Sequence, residues 1–431
     1  GGTYGRRVVV VVGKGHNGDD GRVAADLLRR QGVRVRVMAA PADRGGPGGA
    51  SAGVPGCDLV IDAAYGTGFR GDYRAPAVPD GVRVLSVDIP SGVAGDSGTA
   101  DDGAATADVT VTFGALKPGL VQGEGRWRAG QVEVAGIGLD VSRALIHVVD
   151  DAEVRSRLPR RRLEGHKWDT AVTVVAGSPG MLGSSRLCSR AAMRAGAGMV
   201  RLGVPGAAPS DLPADEVVAS TLPAAGWEQD VLADIARCKA LVVGPGLGRG
   251  DEVASAVRHL VSRAEVPMLV DADGLNALGG ADAVAELAGR RGHPLVLTPH
   301  AGEFARLAGN PPGSDHIEAA RELARRCRAI VLLKGTTTVV ADPDGEVLVC
   351  LAGSPRLASA GTGDVLSGVI GALLARGMDA LSAAGLGAHI HGAAAGLGPS
   401  EGLVAGDLLD LLPVWLSRLV TGQDGGSAGR G

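Results

Sequence analysis

Residues 8 to 32 read VVVVVGKGHNGDDGRVAADLLRRQG, and their reading decides the fold. Five consecutive valines form a short β-branched run without polar alternation, as expected of a parallel strand buried on both faces. Gly13, Gly15 and Gly18 fit the spacing G-x-G-x-x-G, and RVAADLLRRQG (22–32) reads as a helix closed by Gly32. A strand, a glycine turn and a helix in that order aim backbone amides at one point, where phosphate is welcome. A dinucleotide coenzyme loop also needs an acid at the end of the next strand, about 20 residues on, to hold the ribose. Here that strand ends VMAAPAD, with Ala39 and Ala40 at those positions. Asn17, Asp19 and Asp20 also crowd hydrogen-bond acceptors where a pyrophosphate would meet bare amides. The motif therefore argues against a coenzyme held for hydride transfer.

The same alternation continues outward. VRVRVMA (33–39), LVIDAA (59–64), VRVLSVDI (82–89) and VTVTF (109–113) read as further buried strands. A Gly/Pro/Ser loop is expected at 45–56, and the charged stretch 150–169 is expected to separate this domain from a second α/β series. That series is TVVAG (173–177), VRLGVP (200–205), ALVVGPGLG (240–248), PMLVDADGLNAL (267–278), PLVLTPHAGE (294–303) and AIVLLKGTTTVV (329–340), interleaved with helices such as 184–198. TTVVADPDGEVLVC (337–350) reads as two strands joined by a PDG turn. Two doubly wound α/β layers follow, expected over 1–148 and 149–422, with a flexible tail at 423–431.

Composition bounds the function. Hydrophobic residues make up 45% of the 431 and aromatics 2%, so the cores are built from Val, Leu, Ala and Ile. A net charge of −4 with interspersed signs carries no nucleic-acid footprint; RLPRRR (157–162) reads as an exposed linker or helix end. No apolar run approaches a membrane span and no signal peptide is visible. Five scattered cysteines without a C-x-x-C pair suit reduced thiols, hence a cytoplasmic protein. The chain opens GGTYGRR without Met, so a missing N-terminal piece is expected.

Several strand ends carry chemistry. Asp62 in IDAAYGTGFRGD (61–72) and Asp88 in VDIPSGVAGD (87–96) stand where ligands gather in an open α/β sheet. With Asn17 they suit an oxygen-rich cation site or an acid–base pair. In SAGTGDVLSGVIGALLARG (359–377), Gly361 and Gly363 turn the chain into an apolar helix whose first-turn amides would face an anion. Asp364 beside that turn can take a proton from an attacking hydroxyl. Lys334 at a strand end can neutralise phosphate, and Thr336 to Thr338 offer hydroxyls. His300, in an irregular turn, suits a ligand contact; His389 and His391, two apart on a helix, are poor metal ligands and read as structural.

Together VDIPSG, VTFGALKPGL (111–120), HKWD (166–169), RAGAGMVRL (194–202), GPGLG, DADGLNAL, TPHAGE, LKGTTTVV and ASAGTGDVLSGVIGALLARG with HIHGAAA resemble the bifunctional NAD(P)H-hydrate repair enzymes. The resemblance implies a Rossmann-like three-layer epimerase domain followed by a ribokinase-like α/β dehydratase domain. The dehydratase would use ADP and Mg²⁺ to phosphorylate the hydroxyl of the hydrated nicotinamide ring of NADHX or NADPHX, then lose phosphate. By carry-over Asp364 acts on that hydroxyl, Gly246 and His300 contact the hydrate, and Gly363 with Lys334, Gly335, Thr336, Thr337 and Thr338 holds the ADP. In the epimerase, His16, Asn17, Gly18, Asp19, Asp20, the loop Gly66, Thr67, Gly68, Phe69, Arg70, Gly71, Asp72, and Asp88 would contact the hydrate. Asn17, Asp62 and Ser91 would hold K⁺. The family loop G-N-N-G-G-D-G stands here as GHNGDDG (15–21). Asp19 is thus expected to add bulk and charge at a close-approach glycine and to weaken epimerisation. A homo-oligomer is expected, without nucleic acid or membrane partners. The alternative is a ribokinase-like small-molecule kinase with a non-catalytic nucleotide-binding N-terminal module.

Overall fold

The computed structural model describes residues 4–41, 53–213 and 215–422. Residues 45–52 of the expected Gly/Pro loop and the expected tail 423–431 lie outside the described residues. The chain forms two compact units, Gly1–Ala144 with Gly313–Ile317, and Leu145–Pro312 with Glu318–Gly431.

The first unit is built on β1 (Arg7–Val12), β2 (Arg34–Ala39), β3 (Leu59–Ala63), β4 (Arg83–Val87), β5 (Val109–Phe113) and β6 (Gln131–Ala135). They form one parallel sheet in the order β2-β1-β3-β4-β5-β6. The valine run needs no polar alternation because both of its faces are covered. Val8, Val10 and Val12 pack with Ala25 and Ile61, and Val9 and Val11 with Val54, Cys57 and Val60. Each buried valine contributes roughly 1.5–3 kcal/mol relative to exposure.

The helix after β1 begins earlier than expected, at His16, and runs to Arg30. Only Gly13 to Gly15 make the turn; Asn17, Gly18, Asp19 and Asp20 are helical. Gly18 lies so close to Gly13 that a Cβ would collide with its carbonyl oxygen, and Gly21 is pressed on Ala63. Asp19 faces away from these contacts, 65% exposed and paired with Arg22 at 2.9 Å. The expected steric conflict at this residue is therefore absent.

The second unit holds β7 (Ile146–Val149), β8 (Ala171–Val175), β9 (Met199–Pro205), β10 (Val218–Leu222), β11 (Ala240–Val243), β12 (Met268–Val270), β13 (Leu295–Leu297), β14 (Ile330–Leu333), β15 (Thr338–Ala341) and β16 (Val347–Cys350). The sheet order is β10-β9-β8-β11-β12-β13-β14-β15-β16-β7. All pairings are parallel except β14–β15 and β15–β16, the hairpin across the PDG turn. Because β7 pairs with β16, residues 145–148 belong to this unit rather than the first. The charged stretch 150–169 is also part of it. Asp150 caps the helix Asp151–Arg157, accepting from the Glu153 N–H at 2.8 Å, and Val154 is fully buried.

Helix Thr362–Ala375 packs in the core against helix Leu182–Arg194. Gly368 permits this: a Cβ there would strike the Cys188 carbonyl oxygen and stand 2.9 Å from the Ala191 Cβ. Gly368→Ala is expected to destabilise the second unit by about 1–3 kcal/mol. Its thermal unfolding midpoint should fall by several degrees, and an unchanged midpoint would contradict this packing.

Candidate functional site

In the second unit the polar residues collect at the carboxyl ends of β8 and β11 to β14, the ligand side of an open α/β sheet. After β11 the chain makes three left-handed glycine turns, Gly244 (φ 128°), Gly246 (φ 65°) and Gly248 (φ 80°). A Cβ on Gly246 would stand 2.8 Å from that of Ser184, so this glycine's backbone lies against the Ser184 side chain. The Ser178 hydroxyl donates to the Gly246 carbonyl at 2.9 Å, and Gly248 N–H donates to the Asp273 carboxylate at 2.9 Å.

Asp271 follows β12 and is buried, 1% exposed. One carboxylate oxygen accepts from Lys334 Nζ at 2.6 Å and the other from the Ser367 hydroxyl at 2.6 Å. Lys334 follows β14, its N–H bound to the Pro299 carbonyl at 2.9 Å. Gly363 lies beside both: a Cβ there would be 3.4 Å from Lys334 Nζ and 3.9 Å from Asp271 Oδ2. Helix Thr362–Ala375 therefore starts against an ion pair, its N-cap Gly361 in the left-handed region (φ 89°). First-turn amides of such a helix have no intrahelical acceptor and carry partial positive charge.

Asp364 is half-buried in that first turn. Burial pushes its carboxyl up to about 6; a Ser184 hydrogen bond opposes the rise, the Asp271 charge adds to it, and Lys334 opposes it. A carboxyl poised there is a competent proton acceptor at neutral pH. His391 is buried behind the turn, hydrogen-bonded to the Thr362 backbone, and burial holds its imidazole down at about 4, hence neutral.

Asp364, Lys334, Gly363 and Gly246 thus come together. His300 sits after β13 and caps helix Ala301–Ala308: its Nδ1 accepts from Gly302 and Glu303 N–H at 2.9 and 3.3 Å. That fixes the proton on Nε2, which lies 3.5 Å from Glu303 Oε1 on a ring that is otherwise largely exposed. Of the hydroxyl run, Thr336 is exposed, Thr337 is buried and Thr338 begins β15. The partners that sequence reasoning missed are Asp271, Ser184 and Ser367. DADGLNAL flagged the region, but nothing in it tells which acid turns inward onto a lysine 63 positions away.

The first unit carries a cavity of about 810 Å³ at the carboxyl ends of β1, β2 and β3. His16, Asn17, Asp20, Gly66, Thr67, Gly68, Phe69, Arg70 and Asp88 line it, with Ala39 and Ala40 where a coenzyme loop would place its ribose acid. Gly18, Asp19, Gly71, Asp72, Asp62 and Ser91 are not among its lining residues. Asp88 adopts a left-handed backbone (φ 70°) that turns its carboxylate to Lys117 Nζ at 2.7 Å and to the Thr67 N–H at 3.3 Å. Lys117 also donates to Thr112 Oγ1 at 2.7 Å and to the Phe113 carbonyl at 2.8 Å. It is a further residue that sequence reasoning left without a role.

Asp62 lies behind the cavity, 4% exposed. Its carboxylate accepts from Ser91 Oγ (2.6 Å), Ser91 N–H (2.8 Å) and Ser86 Oγ (3.0 Å). Burial raises its pKa and no cationic side chain pairs with it among the described residues. The Ser91 hydroxyl also accepts from the Tyr65 N–H at 2.9 Å, next to Gly66 and Asn17. The buried Asn17 amide nitrogen has no hydrogen-bond partner among the described residues.

Residues 172–413 match the family described as NAD(P)H-hydrate dehydratase, and residues 2–50 and 47–119 match the YjeF-related protein N-terminus. The chain is 38% identical to the bifunctional NAD(P)H-hydrate repair enzyme Nnr of Moorella thermoacetica, over 96% of this chain and 88% of that one. Among solved structures, the ADP/ATP-dependent NAD(P)H-hydrate dehydratase of Bacillus subtilis, co-crystallised with ATP/Mg²⁺, is 31% identical (TM-score 0.55; 63% of this chain, 98% of that one). A ribokinase-like superfamily protein of Enterococcus faecalis, 17% identical, shares the fold (TM-score 0.55; 65% of this chain, 99% of that one). No helix among the described residues is long and apolar enough to cross a membrane.

Proposed function

The chain belongs to the bifunctional NAD(P)H-hydrate repair enzymes, and from that premise we propose how its two units carry the work. The second unit dehydrates (6S)-NAD(P)H hydrate to NAD(P)H with a nucleotide, and the first epimerises the R and S hydrates. We assign ADP as the phosphoryl donor. The observation that carries the dehydratase assignment is the half-buried Asp364 carboxyl at a helix N-terminus, beside the Lys334–Asp271 pair.

In this reading the ring hydroxyl donates its proton to Asp364 as its oxygen bonds to the terminal phosphorus of ADP. The phosphorus–oxygen bond to AMP breaks, and AMP leaves with the electron pair. Lys334 and the amides of the turn at Gly361 to Gly363 balance charge on the transferred phosphoryl group. Asp271 holds Lys334 at that point. The phosphate ester then loses phosphate with its carbon–oxygen bond pair, and a ring proton leaves to restore the double bond of NAD(P)H. Mg²⁺ would be carried in by the nucleotide phosphates and spread their charge. Gly246 and the Nε2 edge of His300 flank the hydrate, while Gly335, Thr336 and Thr338 lie towards the nucleotide; the buried Thr337 supports the turn.

In the first unit Asp88, ion-paired with Lys117, is the acid–base group, and Asn17 with loop Gly66 to Arg70 contacts the ring. Asp62, Ser91 and Asn17 fit K⁺: their oxygens are hard donors, and the buried Asp62 carboxyl has no cationic side chain beside it among the described residues. A bound K⁺ would supply that missing positive charge. Asp19 stands clear of the cavity, so Asp19→Gly should leave the epimerisation rate within about twofold. A several-fold gain would contradict the placement. Five buried free cysteines are in keeping with a reducing, cytoplasmic setting.

Phosphorus NMR of the reaction of hydrated NADH with ADP tests the assignment against the kinase alternative. Inorganic phosphate and AMP in step with NADH are expected; an accumulating phosphorylated hydrate would make the unit a kinase.

A further inference from the structure

Helix Thr362–Ala375 carries Asp364 at its N-terminus; its other end opens on a separate pocket of about 530 Å³. Fourteen helical residues put the two ends roughly 20 Å apart. The pocket is lined by Arg160, Arg161, Arg162, His166, Lys167 and Arg376. Its one acid, Asp169, is tied to the His166 N–H at 2.8 Å. None of the five Arg and Lys side chains has a carboxylate partner among the described residues. Some other arginines of this unit do meet a carboxylate: Arg157 with Glu153, Arg194 with Asp410, Arg201 with Asp234.

Part of this charge has a structural use. Arg376 donates to the Ala195 carbonyl at 3.1 Å and to that of Pro159, and Arg161 donates to Gly196 O at 3.4 Å. These arginines serve carbonyls at helix ends. The remainder has no such use: Arg160, Arg162 and Lys167 make no side-chain hydrogen bond among the described residues. Arg376 is also half-buried, where a guanidinium without a counter-charge is costly, and Arg161 crowds it with like charge. A concave surface with surplus guanidinium forks matches the geometry of phosphate oxygens.

We propose that this pocket binds the polyphosphate group of a nucleotide, at a site distinct from the one at Asp364. Its volume suits a small ligand of that size, and its chemistry fits either an adenine nucleotide or a pyridine dinucleotide.

Calorimetric titration of the full chain with tripolyphosphate tests the proposal. Two binding events are expected in the unaltered protein. In the double variant Arg160→Glu, Arg162→Glu, one event should weaken at least about tenfold, with the unfolding midpoint and the KM for ADP unchanged. Lys167→Glu should weaken the same event. ADP or NADPH binding there more tightly than tripolyphosphate supports a nucleotide ligand and tells which kind. A single event in the unaltered protein, an unweakened event in both variants, or tighter binding of single-stranded DNA would overturn the site. The readout is binding, so it stands apart from the success or failure of the repair reaction.

Discussion

Replacing Asp364 by asparagine is expected to lower kcat/KM for dehydration of the S hydrate by about 10²- to 10⁴-fold. The change keeps the side chain's size and its hydrogen bond to Ser184 while removing the proton acceptor. Nucleotide binding, measured by calorimetry, should change little, because Lys334 and the turn at Gly361 remain. The unaltered enzyme supplies a second signature. Burial puts the Asp364 carboxyl at about 6, above its ordinary value. The base form therefore dominates above that pH, and the rate should fall about tenfold per unit below it. Asp271→Asn removes a charge that raises this value, so the acidic limb should move to lower pH while KM for ADP rises as Lys334 loses its anchor. An Asp364→Asn enzyme with near-normal rate, or a profile flat through pH 6, would remove Asp364 from the chemistry.

Asp88→Asn is expected to cost epimerisation about 10²-fold or more, with dehydration of the S hydrate unaffected. Asparagine tolerates the left-handed backbone of Asp88 (φ 70°), so the loop should keep its path. What is lost is the carboxylate that Lys117 holds at 2.7 Å, leaving a half-buried ammonium without its partner. Proton NMR of an R/S hydrate mixture reads interconversion directly. If it proceeds at the original rate in Asp88→Asn, the acid–base group lies elsewhere in the cavity.

The central strands were legible in the sequence because both of their faces are buried, as in VVVVV and LVIDAA, and such runs need no neighbour to be recognised. The strands that were missed, β6, β7 and β10, are all sheet edges, where half-exposed residues leave little hydrophobic pattern. The start of the first helix was misjudged for a related reason. Glycines usually mark turns, yet Gly18 and Gly21 are there for close packing inside the helix. For the site, residues announced by a turn motif, Asp364 and Lys334 among them, could be found from spacing. Asp271, Ser184 and Lys117 could not, because their roles arise from contacts between distant strand ends. Asp19 errs the other way: its position in a motif suggested a clash, and helical geometry turns it to solvent.

The most direct test is the repair reaction itself. The full chain is mixed with the S hydrate of NADH, ADP and Mg²⁺, and the absorbance band of reduced nicotinamide is followed over time. The band should return with the unaltered protein, at a rate that depends on ADP, and should fail to return with Asp364→Asn. No return with the unaltered, folded protein under either ADP or ATP would contradict the account.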